Sequence, residues 1–69
     1  MTNVYWTGSI ERCDACRKPF EAVMYDAATS RGWGNLDQKC FEALGCSLGT
    51  GRGQKYEKQA DGRWLKTGG

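Results

Sequence analysis

The sequence predicts a small α+β domain stapled by a metal ion, and three observations carry that expectation. The chain has 69 residues, enough for one domain but too few for a self-sufficient core. It contains Cys13-Asp14-Ala15-Cys16, with further thiols at Cys40 and Cys46, which is the spacing of a structural zinc site. Around those thiols, an alternating run, a capped helical run and an Asp-Gly turn follow one another, so strands and a helix share one short chain.

Domains of this size add disulfides, a metal or a partner subunit to a marginal core. Disulfides require an oxidising compartment, which a secretory leader would announce. The N-terminal residues MTNVYW have neither a basic region nor an apolar stretch of that kind. No run approaches the length of a membrane span. The expectation is a chain that is neither secreted nor membrane-bound, with reduced thiols and one structural Zn2+.

Taken in order, residues 4–10 (VYWTGSI) are β-branched and aromatic and predict a short strand loosened at Gly8. Residues 13–16 form the turn that presents two thiolates to one ion, followed by Arg17 and Lys18, whose charge favours the thiolate. Residues 20–26 (FEAVMYD) alternate and predict a strand with one mostly buried face; residues 27–31 form a polar turn and residues 32–36 a return strand. Glycines on both sides of Trp33 point to close backbone approach and to core packing of the ring. Asp37 stands where a helix N-cap belongs, residues 38–44 favour helix, and Gly45 suits the left-handed residue that ends it. Knuckle, hairpin and short helix, in that order, predict a treble-clef-like fold.

Residues 48–53 (LGTGRG) are too glycine-rich for regular structure. Beyond them, Asp61-Gly62 predicts a hairpin with a two-residue turn, placing Glu57 opposite Lys66 and Gln59 opposite Trp64. The whole chain, 1–69, is thus a single domain: a zinc core at 11–46, a glycine-rich loop at 47–54 and an added C-terminal hairpin at 55–67.

Cys13, Cys16 and Cys40 are three of the expected ligands, and two residues compete for the fourth place. Cys46 is a soft donor matched to zinc. Asp37 reproduces the two-residue spacing with Cys40, and zinc accepts a carboxylate. Cys46 falls beyond the helix end, roughly 9 Å along the axis from Cys40 at about 1.5 Å per residue, which favours Asp37. Against these stand plainer roles: an N-cap for Asp37 and a small buried hydrophobe for Cys46.

Tyr25-Asp26, Trp33-Gly34-Asn35-Leu36, Cys40-Phe41 and the stretch Leu48 to Glu57 (LGTGRGQKYE) resemble a family of small, mostly uncharacterised phage and prophage proteins. The likeness spans most of residues 11–66, and the LGTGRGQKYEK stretch is its specific part. In that family the second ligand pair is a Cys-x-x-Cys and the position of Cys46 varies. This chain departs by carrying Asp37 where the family shows cysteine, which implies a carboxylate substitute. The resemblance implies phage origin, zinc and a place in the host cytoplasm or the virion; it implies no activity.

Catalysis is not expected. The chain has no histidine, the commonest general base, and a catalytic zinc needs an open position with a base beside it. Nucleic-acid binding would use Arg52, Lys55, Lys58, Arg63 and Lys66 for phosphates, with Tyr56 and Trp64 stacking on bases. These residues make the 52–69 segment net +3, five basic against two acidic, while residues 1–51 are net −1, five against six. Net charge is only +2 overall, so that patch is also readable as a solvated face. The preferred expectation is a binding module for a host or phage protein, with an oligomeric or assembly role open. Three tryptophans and three tyrosines are more aromatic surface than so small a core hides, and exposed rings mark interfaces.

Overall fold

In the computed structural model, which describes residues 3–8 and 10–69, the chain is a four-stranded antiparallel sheet with one short helix on one face. Strands β1 (Val23–Thr29) and β2 (Gly32–Leu36) form the first hairpin, α1 (Gln38–Ala43) follows, and β3 (Gly53–Lys58) and β4 (Trp64–Gly68) form the second. The spatial order is β2-β1-β3-β4. β1 pairs with both hairpin partners, Tyr25 lying opposite Leu36 on one side and Lys55 on the other. The C-terminal hairpin is therefore half of the main sheet.

Both faces of β1 are covered, which changes the expected one-sided pattern. Tyr25 and Ala27 join Cys13, Leu36 and Phe41 in the core beneath α1, with Tyr25 and Phe41 stacked at 4.1 Å between ring centroids. On the opposite face Met24 is 0% exposed and Tyr56 7%, and the two are cross-strand partners. Trp6 meets the Tyr56 ring edge-on at 5.6 Å. The N-terminal segment supplies that second cover.

Local chemistry accounts for the helix ends. Asp37 caps the N-terminus by accepting from the Cys40 N–H, and Leu44 is the C-cap. Gly45 takes φ +69 immediately after it.

Four expectations are corrected. Residues 4–10 pair with the sheet through one bridge, Tyr5 to Leu65, with Val4 and Trp6 contributing backbone bonds to Lys66 and Trp64; Ser9 lies outside the described residues. The first strand runs Val23–Thr29, three residues later than expected at each end, so the turn shrinks to Ser30 and Arg31. Trp33 is 54% exposed and is not a core ring, because β2 is an edge strand.

The second hairpin is shifted by one residue. Glu57 lies opposite Leu65, Tyr56 opposite Lys66 and Lys58 opposite Trp64. Its loop is Ala60-Asp61-Gly62, closed by Gln59 N–H to the Arg63 carbonyl at 2.7 Å. Gly62 at φ +88 supplies the left-handed residue of such a three-residue loop. Asp61 accepts from the Arg63 backbone N–H at 2.9 Å and from its guanidinium at 2.7 Å, which holds the turn in that register.

Candidate metal centre

The centre is assembled from two tight turns that the sheet brings together. The first is the knuckle around residues 13–16. Cys13 N–H donates to the Lys18 carbonyl and Arg17 N–H to the Cys13 carbonyl, both at 2.9 Å, and Arg12 bridges to Pro19. Arg17 takes φ +66 to close the turn. The second is the start of α1, where Asp37 and Cys40 sit on the same side of the first turn.

A residue that spacing arguments passed over docks the two together. Asp14 donates its N–H to the Asn35 carbonyl and accepts the Asn35 N–H on Oδ2, both at 2.8 Å. The knuckle is thereby clamped to the outer edge of β2, one residue before the strand ends. The signal was present in an aspartate inside the Cys-x-x-Cys turn, a residue type that bonds nearby backbone.

The outcome is a cluster of four donors. The Cys13, Cys16 and Cys40 sulfurs and an Asp37 oxygen all lie within 4.8 Å of one another, a set that could hold a metal ion. Cys13 is buried, Cys16 exposed, and Asp37 and Cys40 half-buried, so the site has a dry wall and a wet one. The two Asp37 roles weighed in the sequence prove compatible: Oδ1 accepts the Cys40 N–H at 2.8 Å, and Oδ2 accepts the Cys16 thiol at 3.1 Å. One oxygen caps the helix while the other faces the sulfurs.

Cys46 lies elsewhere. Its thiol points to the Ala28 carbonyl at 3.6 Å, and the residue packs against the core cluster as a small hydrophobe. Three residues past the helix end, it lies over the sheet rather than back at the knuckle.

The site's electrostatics divide the protons unequally. Burial pushes the Cys13 thiol up, but the Cys16, Asp37 and Ala15 N–H groups and the Cys40 thiol outweigh it, and the net effect is a lowered pKa. Burial, then the Asp37 carboxylate and the Cys13 and Cys16 sulfurs, push Cys40 up to about 12. Asp37 is lowered, first by the Cys40 N–H and then by the Cys16 thiol, with Lys18 adding to the effect. Burial first, and the crowded carboxylate and sulfurs after it, oppose a negative charge on Cys40. A cation among these donors would relieve that opposition.

The basic candidates of the second hairpin do not form a comparable centre. Tyr56 is buried under Trp6 and presents no free face to a base. Trp64 is half-buried with its ring edge-on to Phe20 at 6.1 Å. Arg63 is spent on Asp61 and lies over the Tyr5 ring, 4.2 Å from its centroid. Arg52 and Lys58 are exposed, and Lys55 and Lys66 half-buried. Among the described residues no helix is long and apolar enough to cross a membrane. The chain matches no family model, no curated protein and no solved structure.

Proposed function

We propose that this protein is a zinc-stabilised, non-enzymatic binding module whose partner is another protein. The observation that carries the metal half is the convergence of three sulfurs and one carboxylate oxygen within 4.8 Å. Tetrahedral zinc with bonds of about 2.3 Å to sulfur spaces its ligands roughly 3.8 Å apart, so the cluster needs only a small contraction. Thiolate donors select zinc over the oxygen-loving divalent cations. With four protein ligands the site is closed and structural. Knuckle, hairpin β1–β2 and α1 with its ligand in the first turn follow the order of a treble clef, and the resemblance of residues 48–57 is the support for a phage origin.

The protein-binding half rests on where the aromatic surface lies. The rings that would stack on bases are buried or engaged, whereas Trp33 and Leu44 are each 54% exposed, away from the basic hairpin. Asp37, the carboxylate among the sulfurs, would itself be taken up as a ligand through one oxygen and as the helix cap through the other, which leaves it unfit as a general base. The test is native mass spectrometry of protein purified without added metal, at several ionic strengths. One zinc per chain, lost in Cys13→Ser and Cys40→Ser, is expected. A metal-free chain with two disulfides would overturn the reading. So would binding to single- or double-stranded nucleic acid that falls steeply with salt.

A further inference from the structure

The two halves of the candidate metal centre are joined by a residue that is not a donor. Asp14 lies inside the knuckle, one residue after Cys13 and two before Cys16, and stands outside the cluster of four. Its N–H reaches the Asn35 carbonyl and its Oδ2 takes the Asn35 N–H, so it holds both backbone groups of that residue. Asn35 in turn stands two residues before Asp37. The carboxylate also lies against β2: a Cβ at Gly34 would be 3.4 Å from Oδ2 and 3.7 Å from the Asp14 Cβ. An edge strand is thus paired by a turn, with a side-chain oxygen where a neighbouring strand would offer a carbonyl.

Away from the donor atoms, these two are the only hydrogen bonds between residues 12–19 and residues 32–44 among the described residues. At the donors, the Cys16 thiol donates to Asp37, and a ligating thiol must shed that proton. The Asp14 bonds use no donor atom, so coordination leaves them intact. Asp14 and Asn35 are 21 residues apart in the chain, and bringing the ends of such a loop together costs chain entropy. Where Asp14 has already closed the loop, the ion need not, and binding to a preorganised site is tighter.

We propose that Asp14 is a positioning residue for the metal: by pinning the knuckle to β2 it holds Cys13 and Cys16 against Asp37 and Cys40, and so sets how tightly the cation is bound. The inference rests on the zinc reading above and names a residue outside the donor set on which the affinity depends. Asp14 acts through Asn35 and does not ligate. An ordinary surface-turn bond behaves differently, because its loss costs a little stability wherever it lies and has no particular bearing on the metal. Asp61 supplies that comparison, since it is exposed and its Oδ1 accepts the Arg63 N–H at 2.9 Å in the turn of the second hairpin.

The test is competition titration of Zn2+ against a chromophoric chelator on the full chain. Asp14→Ala should lower the affinity roughly tenfold or more, the range for residues that orient ligands from outside the donor set. Asp14→Asn keeps an acceptor oxygen for the Asn35 N–H and should bind zinc nearly as the parent does. Asp61→Ala removes the matched turn bond and should also stay close to the parent. Saturation with Co2+ certifies the site, since sulfur-to-cobalt charge-transfer absorption should appear in every variant. Equal affinities for Asp14→Ala and the parent, or equal losses in Asp14→Ala and Asp61→Ala, overturn the role of Asp14 and leave the zinc reading standing. So does an Asp14→Asn variant nearer in affinity to Asp14→Ala than to the parent. If Asp14→Ala shows no cobalt absorption even at saturation, Asp14→Asn decides alone: parent-like affinity supports the clamp, and a weakened site overturns it. A parent chain that binds no zinc ends the zinc reading and the proposal together.

Discussion

At the scale of single residues, Asp37 does two things that are usually separate. Its Oδ1 caps α1 and its Oδ2 faces the sulfurs, so substitutions should split the roles. Asp37→Asn retains a capping oxygen but no anion; we expect the helix to survive and metal affinity to fall. Asp37→Cys should keep the metal while forfeiting a cap worth about 1 kcal/mol. Cys46→Ser should leave metal stoichiometry unchanged, since that thiol reaches only the Ala28 carbonyl. Competition titration against a chromophoric chelator reads all three. Asp26 offers a pH-dependent counterpart. Burial raises its pKa without a compensating cation, so the native state holds its proton more tightly than the unfolded chain. Its contribution is fully favourable below the ordinary carboxyl range and is lost as pH rises through the raised value. Asp26→Asn should therefore increase the melting temperature at pH 7, with the advantage shrinking as pH falls towards that range.

At the scale of elements, the second hairpin shows how one glycine resets a register. Asp-Gly between two strand-like runs is a signature of two-residue turns, yet Ala60 joins the loop here. The Asp61 carboxylate bonds forward to Arg63, and Gly62 takes the left-handed conformation that a three-residue loop requires. Gly62→Ala places a Cβ in open space but at φ +88, so the expected cost is backbone strain alone, roughly 1 kcal/mol in urea denaturation. Gly53 is the opposite case. A Cβ there would sit 2.7 Å from the Ser47 carbonyl and 3.2 Å from the Ala27 Cβ, so Gly53→Ala should cost more, about 1–3 kcal/mol from overpacking where β3 meets β1. If the two variants melt alike, the close approach of β3 to β1 is not tight.

At the scale of the whole molecule, stability should be inseparable from the metal. The described core is small: Cys13, Met24, Tyr25, Ala27, Leu36, Phe41 and Tyr56 are its buried apolar side chains. One of them, Cys13, is itself a proposed ligand, so losing the ion opens the core from its edge. A strong chelator should abolish the cooperative melt. It should do so more readily at pH 6 than at pH 8, because the ligands must shed protons to bind. A chelated chain that retains its near-ultraviolet circular dichroism would show that sheet packing suffices without metal.

The two turns that carry the candidate metal donors, and the helix beside them, were legible in the sequence because each depends on residues close together in the chain; it took the sheet, through the Asp14–Asn35 pair, to bring the turns together. A Cys-x-x-Cys turn, an Asp N-cap followed three residues later by a cysteine, and a glycine after the helix each act within one or two turns of backbone, where spacing settles geometry. The sheet order, the shifted register of β3 and β4, the burial of Tyr56 and the exposure of Trp33 were decided elsewhere. They follow from which strand lies at an edge and which lies between two others, and β1 became central only when β3, from beyond the glycine-rich loop, paired along it. Alternation in one strand does not say whether a second layer will cover its other face; here Trp6, at the far end of the chain, supplies that cover for Tyr56. Local chemistry determined the donor set and its turns, and long-range pairing alone decided which rings the protein keeps and which it presents.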